Sequence, residues 1–122
     1  MQKFDVVIIG SGPAGKTAAI QAAKLGKNVA IVDGAGEIGG VCVHTGTIPS
    51  KTLRETVLNL TGWRERGFYG RAYRVKSDIT ASDLMQRLNL TLGSEVDIQQ
   101  DHLVRNGVNI ICLLYTSDAA DE

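Results

Sequence analysis

The run Phe-Asp-Val-Val-Ile-Ile-Gly at residues 4–10, with the glycine pattern that follows it, restricts this chain more than any other stretch. A short β-branched apolar run closed by glycine reads as a strand buried on both faces of a parallel sheet. Gly10-Ser11-Gly12-Pro13-Ala14-Gly15 matches G-x-G-x-x-G. Gly10 permits a tight turn, Gly12 lets backbone approach a pyrophosphate, and Gly15 lets the next helix lie close to the strand. Pro13 suits a first helical turn, where its missing N–H would have no partner anyway. With Ala14 it opens a helix whose free N–H groups and positive dipole end face the phosphates. Small alanines carry that helix to about Leu25, and Gly26 stops it. Asn28 to Asp33 reads as a second strand. Its terminal acid falls about twenty residues after the glycine loop, where a carboxylate can accept from ribose hydroxyls. The expectation is an α/β fold, the N-terminal part of a Rossmann-like nucleotide domain with a parallel sheet.

A second motif overlaps the first. Gly10 to Thr17 also spells G-x-x-x-x-G-K-T, the phosphate loop of ATPases and GTPases, with Lys16 for the terminal phosphates and Thr17 for magnesium. Both motifs require strand, glycine turn and helix. The dinucleotide reading is preferred because the G-x-G-x-x-G spacing is complete, Asp33 closes the second strand, and no later strand ends in a metal-binding Asp.

Next comes Gly39-Gly40-Val41-Cys42-Val43-His44-Thr45-Gly46-Thr47-Ile48-Pro49-Ser50-Lys51. This segment, from Gly39 to Lys51, resembles the active-site helix of the pyridine nucleotide-disulfide oxidoreductases, a family of FAD enzymes. The resemblance covers Phe4 to about Ile111. Family members that pass electrons through a disulfide carry a second cysteine where Thr47 stands, so Cys42 has no redox partner and dithiol chemistry is put in doubt. Gly-Thr-Ile-Pro-Ser-Lys is most similar to the transhydrogenase branch, which moves hydride from NADPH to NAD through flavin. The resemblance implies FAD as cofactor and NAD and NADP as substrates. It places Gly39, Gly40 and Val41 along the diphosphate, Cys42 near the isoalloxazine, and Lys51 near flavin N5, where an ammonium stabilises negative charge. Cys42 and Lys51 are thus the candidate catalytic residues. Gly10, Gly12, Pro13, Ala14, Gly15 and Asp33 would hold the adenosine diphosphate. A flavin-dependent reductase of another substrate, similar to dihydrolipoamide dehydrogenase, is the nearest alternative. The helix carrying Cys42 is expected to begin near Val41 and to be bent or interrupted by Pro49. His44 lies close to Cys42, but no second Cys/His pair completes a metal site.

The second half is less specific. Thr52 to Leu60 continues helically, with Leu53, Val57 and Leu60 on one face. Trp63, Phe68 and Tyr69 form a satellite core or a partner surface, and Arg64, Arg66, Arg71 and Arg74 a solvated basic run. Thr80 and Asp83 outline a capping box for a helix over 81–105, ended by Asn106-Gly107. Leu84, Leu88, Leu92, Val96 and Leu103 supply its apolar face, and a strand begins at Val108.

Thirteen basic and thirteen acidic residues balance, which points to neither nucleic acid nor an anionic membrane. Two cysteines are too few for a disulfide framework, and the apolar run at 6–10 is too short for a signal or a span. A cytoplasmic location is expected. Residues 1–111 are expected to be the N-terminal part of an FAD-binding domain. Residues 112–122 resemble one reading frame of a transposase-type sequencing adapter and are expected to be a non-native tail. Such a fragment lacks a second glycine fingerprint, an acid to pair with Lys51, and the domain that, by resemblance, makes the longer protein a homo-oligomer. It is expected to be inactive alone.

Overall fold

A computed structural model describes residues 2–34, 38–70 and 78–113. The elements run β1 (Val6–Ile9), α1 (Pro13–Lys24), β2 (Val29–Gly34), α2 (Gly40–His44), α3 (Thr47–Leu60), α4 (Trp63–Tyr69), α5 (Ala81–Arg105) and β3 (Asn109–Leu113). The three strands form one parallel sheet in the order β1-β2-β3. Val6 pairs with Val29 and Ile9 with Val32, while Ala30 pairs with Asn109 and Asp33 with Cys112. The parallel α/β architecture is the one expected from the glycine motif. The strand β3 runs into the first two residues of the presumed tail, and residues 114–122 lie outside the described residues.

Helix packing on one face of the sheet makes the core. Ala19 of α1, Val29 and Ile31 of β2, Ile38, Leu103 of α5 and Val108 form a buried cluster, flanked by Val6, Ile8, Ile20 and Ile110. The small Ala19 lets α1 lie close to the strands, as a helix crossing a parallel sheet requires. One expectation needs correcting here. β1 is not buried on both faces, since Val6 and Ile8 face the core while Val7 and Ile9 are 56% and 88% exposed.

The helix over 81–105 and its capping box form as read. The Thr80 hydroxyl accepts from the Asp83 N–H at 3.2 Å, and the Asp83 carboxylate accepts from the Thr80 N–H at 2.9 Å. Gly107, with φ at +72°, ends it, and the Val108 N–H returns to the Leu103 carbonyl at 3.1 Å. Leu88 and Leu103 are buried, and the other apolar residues of the stripe are half-buried. Gly93 sits inside this helix, and a Cβ there would meet nothing within 4 Å. Gly93→Ala therefore removes backbone freedom from the unfolded chain at no steric cost. It is expected to stabilise the protein by about 1 kcal/mol, read as a higher urea midpoint with unchanged slope.

One further expectation changes. The helix carrying Cys42 breaks at Thr45-Gly46, not at Pro49. Both the Thr45 and Gly46 N–H groups turn back to the Val41 carbonyl, and a Cβ on Gly46 would lie 2.9 Å from that oxygen. Pro49 is the third residue of α3, where an N–H has no helical partner to lose. The aromatic cluster forms no satellite core from the rings of Phe68 and Tyr69. They meet edge to face at 4.9 Å but are 85% and 57% exposed. Arg66 is exposed, as a solvated face requires, and Arg71 and Arg74 lie outside the described residues. α3 buries no residue fully, and Val57 is exposed.

Candidate functional site

The glycine loop joins β1 to α1 at the C-terminal end of the sheet. Gly10 has φ at +93°, and its N–H donates to the Val32 carbonyl at 2.7 Å, which ties the loop to the end of β2. A Cβ on Gly15 would lie 2.0 Å from the Gly10 carbonyl oxygen, so the start of α1 is pressed onto the loop. Gly12 behaves differently, since a Cβ there would meet nothing within 4 Å. Its backbone faces open space.

The second segment comes over the first. A Cβ on Gly40 would lie 3.1 Å from the Gly12 Cα, so the Gly39-Gly40 turn and the glycine loop meet backbone to backbone. Gly39 has φ at +102° and Gly40 at +61°, a path that favours glycine at both positions. Val41 is 74% exposed and Cys42 is half-buried on α2. Lys51, an exposed residue of α3, lines a groove between α3 and α5 with Asn59, Arg87 and Thr91 among others. Gly10 to Gly15, Asp33, Gly39 and Gly40 are therefore brought together, with Val41 and Cys42 following on α2, while Lys51 opens toward α5.

Asp33 is held by three hydrogen bonds. Its Oδ2 accepts from the Ser11 N–H at 2.6 Å and from the Ser11 hydroxyl, and its Oδ1 accepts from the Gly34 N–H at 2.8 Å. Burial pushes the carboxyl pKa up. The Ser11 hydroxyl, the Ser11 and Gly34 amides and the nearby His44 outweigh it, and the group sits below its ordinary value. Among the described residues, two donors reach Oδ2 and one reaches Oδ1.

Sequence reasoning passed over Ser11, which is 2% exposed. Its hydroxyl also accepts from the buried Gly39 N–H at 2.9 Å. His44 Nε2 lies 3.1 Å from the Ile38 carbonyl. That carbonyl belongs to the same peptide unit as the Gly39 N–H. The phosphate-loop motif loses its two distinguishing residues. The Thr17 hydroxyl donates back to the Pro13 carbonyl at 2.8 Å, and Lys16 Nζ donates to Gln99 Oε1 on α5.

A parallel sheet, a glycine loop at its C-terminal end and an acid closing the second strand define a dinucleotide-binding α/β unit. The family model for FAD dependent oxidoreductases matches residues 5–110, and the chain belongs to that family. A soluble pyridine nucleotide transhydrogenase from Mycobacterium tuberculosis is 57% identical over 111 residues, 91% of this chain and 24% of that protein. One from Pseudomonas syringae pv. tomato is 37% identical over 119 residues, 98% of this chain and 25% of that one. Among solved structures, the HOCl-induced flavoprotein disulfide reductase RclA from Escherichia coli superposes with a TM-score of 0.68 at 27% identity. That match covers 88% of this chain and 21% of the reductase. The chain thus spans about a quarter of the length of the curated relatives it matches. No helix among the described residues is long and apolar enough to cross a membrane.

Proposed function

We propose that this chain is the FAD-holding N-terminal part of a flavoprotein that transfers hydride between NADPH and NAD. The meeting of Gly12 and Gly40 carries the reading, because it makes one backbone-walled cradle from two glycine motifs of the same family. The cradle fits a dinucleotide diphosphate, with no Cβ on its near wall and open space before Gly12. Gly10, Gly12, Pro13, Ala14 and Gly15 present backbone to the diphosphate from one side, and Gly39, Gly40 and Val41 from the other. The Asp33 carboxylate, at the end of β2, accepts from a ribose hydroxyl. FAD, when bound, takes hydride from one nicotinamide and gives it to another.

Lys51 supplies positive charge to the flavin ring system, and its exposure leaves it available to an acid from elsewhere in the longer protein. Cys42 packs beside the ring without a redox cycle, because Thr47 occupies the position of the second thiol. The protein acts in solution in the cytoplasm, as a homo-oligomer, on nicotinamide nucleotides and away from nucleic acid and membrane.

The test is acceptor choice. The longer protein, purified with its flavin, is expected to reduce an NAD analogue with NADPH and to leave lipoamide and oxidised glutathione untouched. Turnover of either disulfide without nicotinamide transfer sinks the transhydrogenase reading in favour of a disulfide reductase.

A further inference from the structure

Ser11 occupies one of the unspecified positions of G-x-G-x-x-G, yet its side chain both donates and accepts within the site. Its N–H and hydroxyl both donate to Asp33 Oδ2, and its hydroxyl oxygen accepts from the Gly39 N–H. One buried oxygen therefore joins three segments: the glycine loop, the end of β2 and the turn before α2. The hydroxyl's donor and one of its lone pairs are both used within the site, at 2% exposure.

The turn is held from its other side as well. The Ile38–Gly39 peptide presents its N–H to Ser11, at 2.9 Å, and its carbonyl to His44 Nε2, at 3.1 Å. A carbonyl accepts only, so Nε2 carries the hydrogen and donates. A peptide plane gripped at both ends has lost its freedom to rotate, and the direction of Gly39-Gly40 over Gly12 is fixed with it.

We infer that Ser11 is a positioning residue that sets the ribose-facing carboxylate of Asp33 and the diphosphate-facing turn at Gly39 as one unit, with His44 holding the far end of the same peptide. This rests on the flavin reading for the identity of the ligand. The link itself is read independently of it. Without the Ser11 hydroxyl, Asp33 keeps the Ser11 and Gly34 amide donors but loses the one donor that also ties it to the Gly39 turn. The Gly39 N–H is then left buried without a partner, which is costly.

The experiment compares wild type, Ser11→Ala and Ser11→Thr in two measurements. Carboxyl-carbon NMR titration of Asp33 in the 122-residue chain needs no flavin. The Asp33 midpoint is expected to rise in Ser11→Ala, since a donor to the charged form is gone, and to return toward wild type in Ser11→Thr. Among the described residues, His44 is the group whose charge acts on Asp33, and its imidazole signals are followed alongside. An Asp33 midpoint unmoved in Ser11→Ala overturns the inference.

The second measurement is the affinity of the flavin-free longer protein for FAD and for an FAD analogue whose adenosine ribose is 2′,3′-dideoxy. Ser11→Ala is expected to weaken FAD about tenfold or more and the analogue much less, because the analogue has no hydroxyl for Asp33 to meet. Equal losses for both ligands would overturn the action of Ser11 on the ribose through Asp33. A wild type that binds neither ligand overturns the flavin reading and the ligand-facing half of the inference, and the titration still decides whether Ser11 sets Asp33.

Discussion

Gly15→Ala is expected to cost about 3 kcal/mol of stability or more, a large part of what a small domain has. The new Cβ would lie 2.0 Å from the Gly10 carbonyl oxygen and 3.1 Å from its carbon. Both are backbone atoms, and neither can swing away as the end of a long side chain does. Relief requires α1 to lift from the loop or Gly10 to leave the path that its bond to Val32 sets. Either movement also disturbs the contact of Ala19 with the sheet. A lowered urea midpoint is the readout, and a midpoint within about 0.5 kcal/mol of wild type would show that the helix start is not pressed onto the loop.

The companion variant is Gly12→Ala. Gly12 has φ at −60° and ψ at 177°, open to any residue, and its Cβ would meet nothing. Stability is expected to stay within about 0.5 kcal/mol of wild type while FAD affinity falls steeply. Two substitutions three residues apart thus separate the glycine that lets the fold form from the glycine that lets a ligand approach.

The sequence made this half of the site legible because the glycine requirements are local. A turn, a helix start and an acid at the end of the next strand all follow from residues close in the chain. The contacts of Ser11 are not local. They span 22 residues to Asp33 and 28 to Gly39, and a serine between two glycines has no pattern that announces either partner. The break between α2 and α3 shows a related limit. Proline is the stronger helix breaker on paper, but at Pro49 the helix is only beginning, and Gly46 supplies the turn. The exposure of β1 is hidden from the sequence for another reason. An unbroken apolar run states that a strand can be covered on both faces, and only the rest of a fold decides whether it is. Val7 and Ile9 are apolar and exposed together. Resemblance alone puts Lys51 at the flavin, and spacing carries no sign of its position on the α3–α5 groove.

Leu103→Ala is expected to cost between about 2 and 5 kcal/mol, because Leu103 is wholly buried near the end of α5 and the cavity left behind adds to the lost transfer energy. The residue packs in one cluster with Ala19 of α1, Val29 and Ile31 of β2, and Ile38. Ile38 directly precedes the Gly39 turn, and Gln99, one turn earlier on α5, reaches Lys16 of α1. The same helix face therefore supports both glycine segments, so the variant is expected to lose FAD affinity as well as stability. Leu90→Ala provides the control. Leu90 lies on the same helix at 66% exposure, and its truncation is expected to change stability by no more than about 0.5 kcal/mol. Urea midpoints of the two variants measure the difference. Similar small losses would mean that the end of α5 is not seated on the sheet. The cradle at Gly12 and Gly40 would then be held by the Ser11 and His44 hydrogen bonds alone.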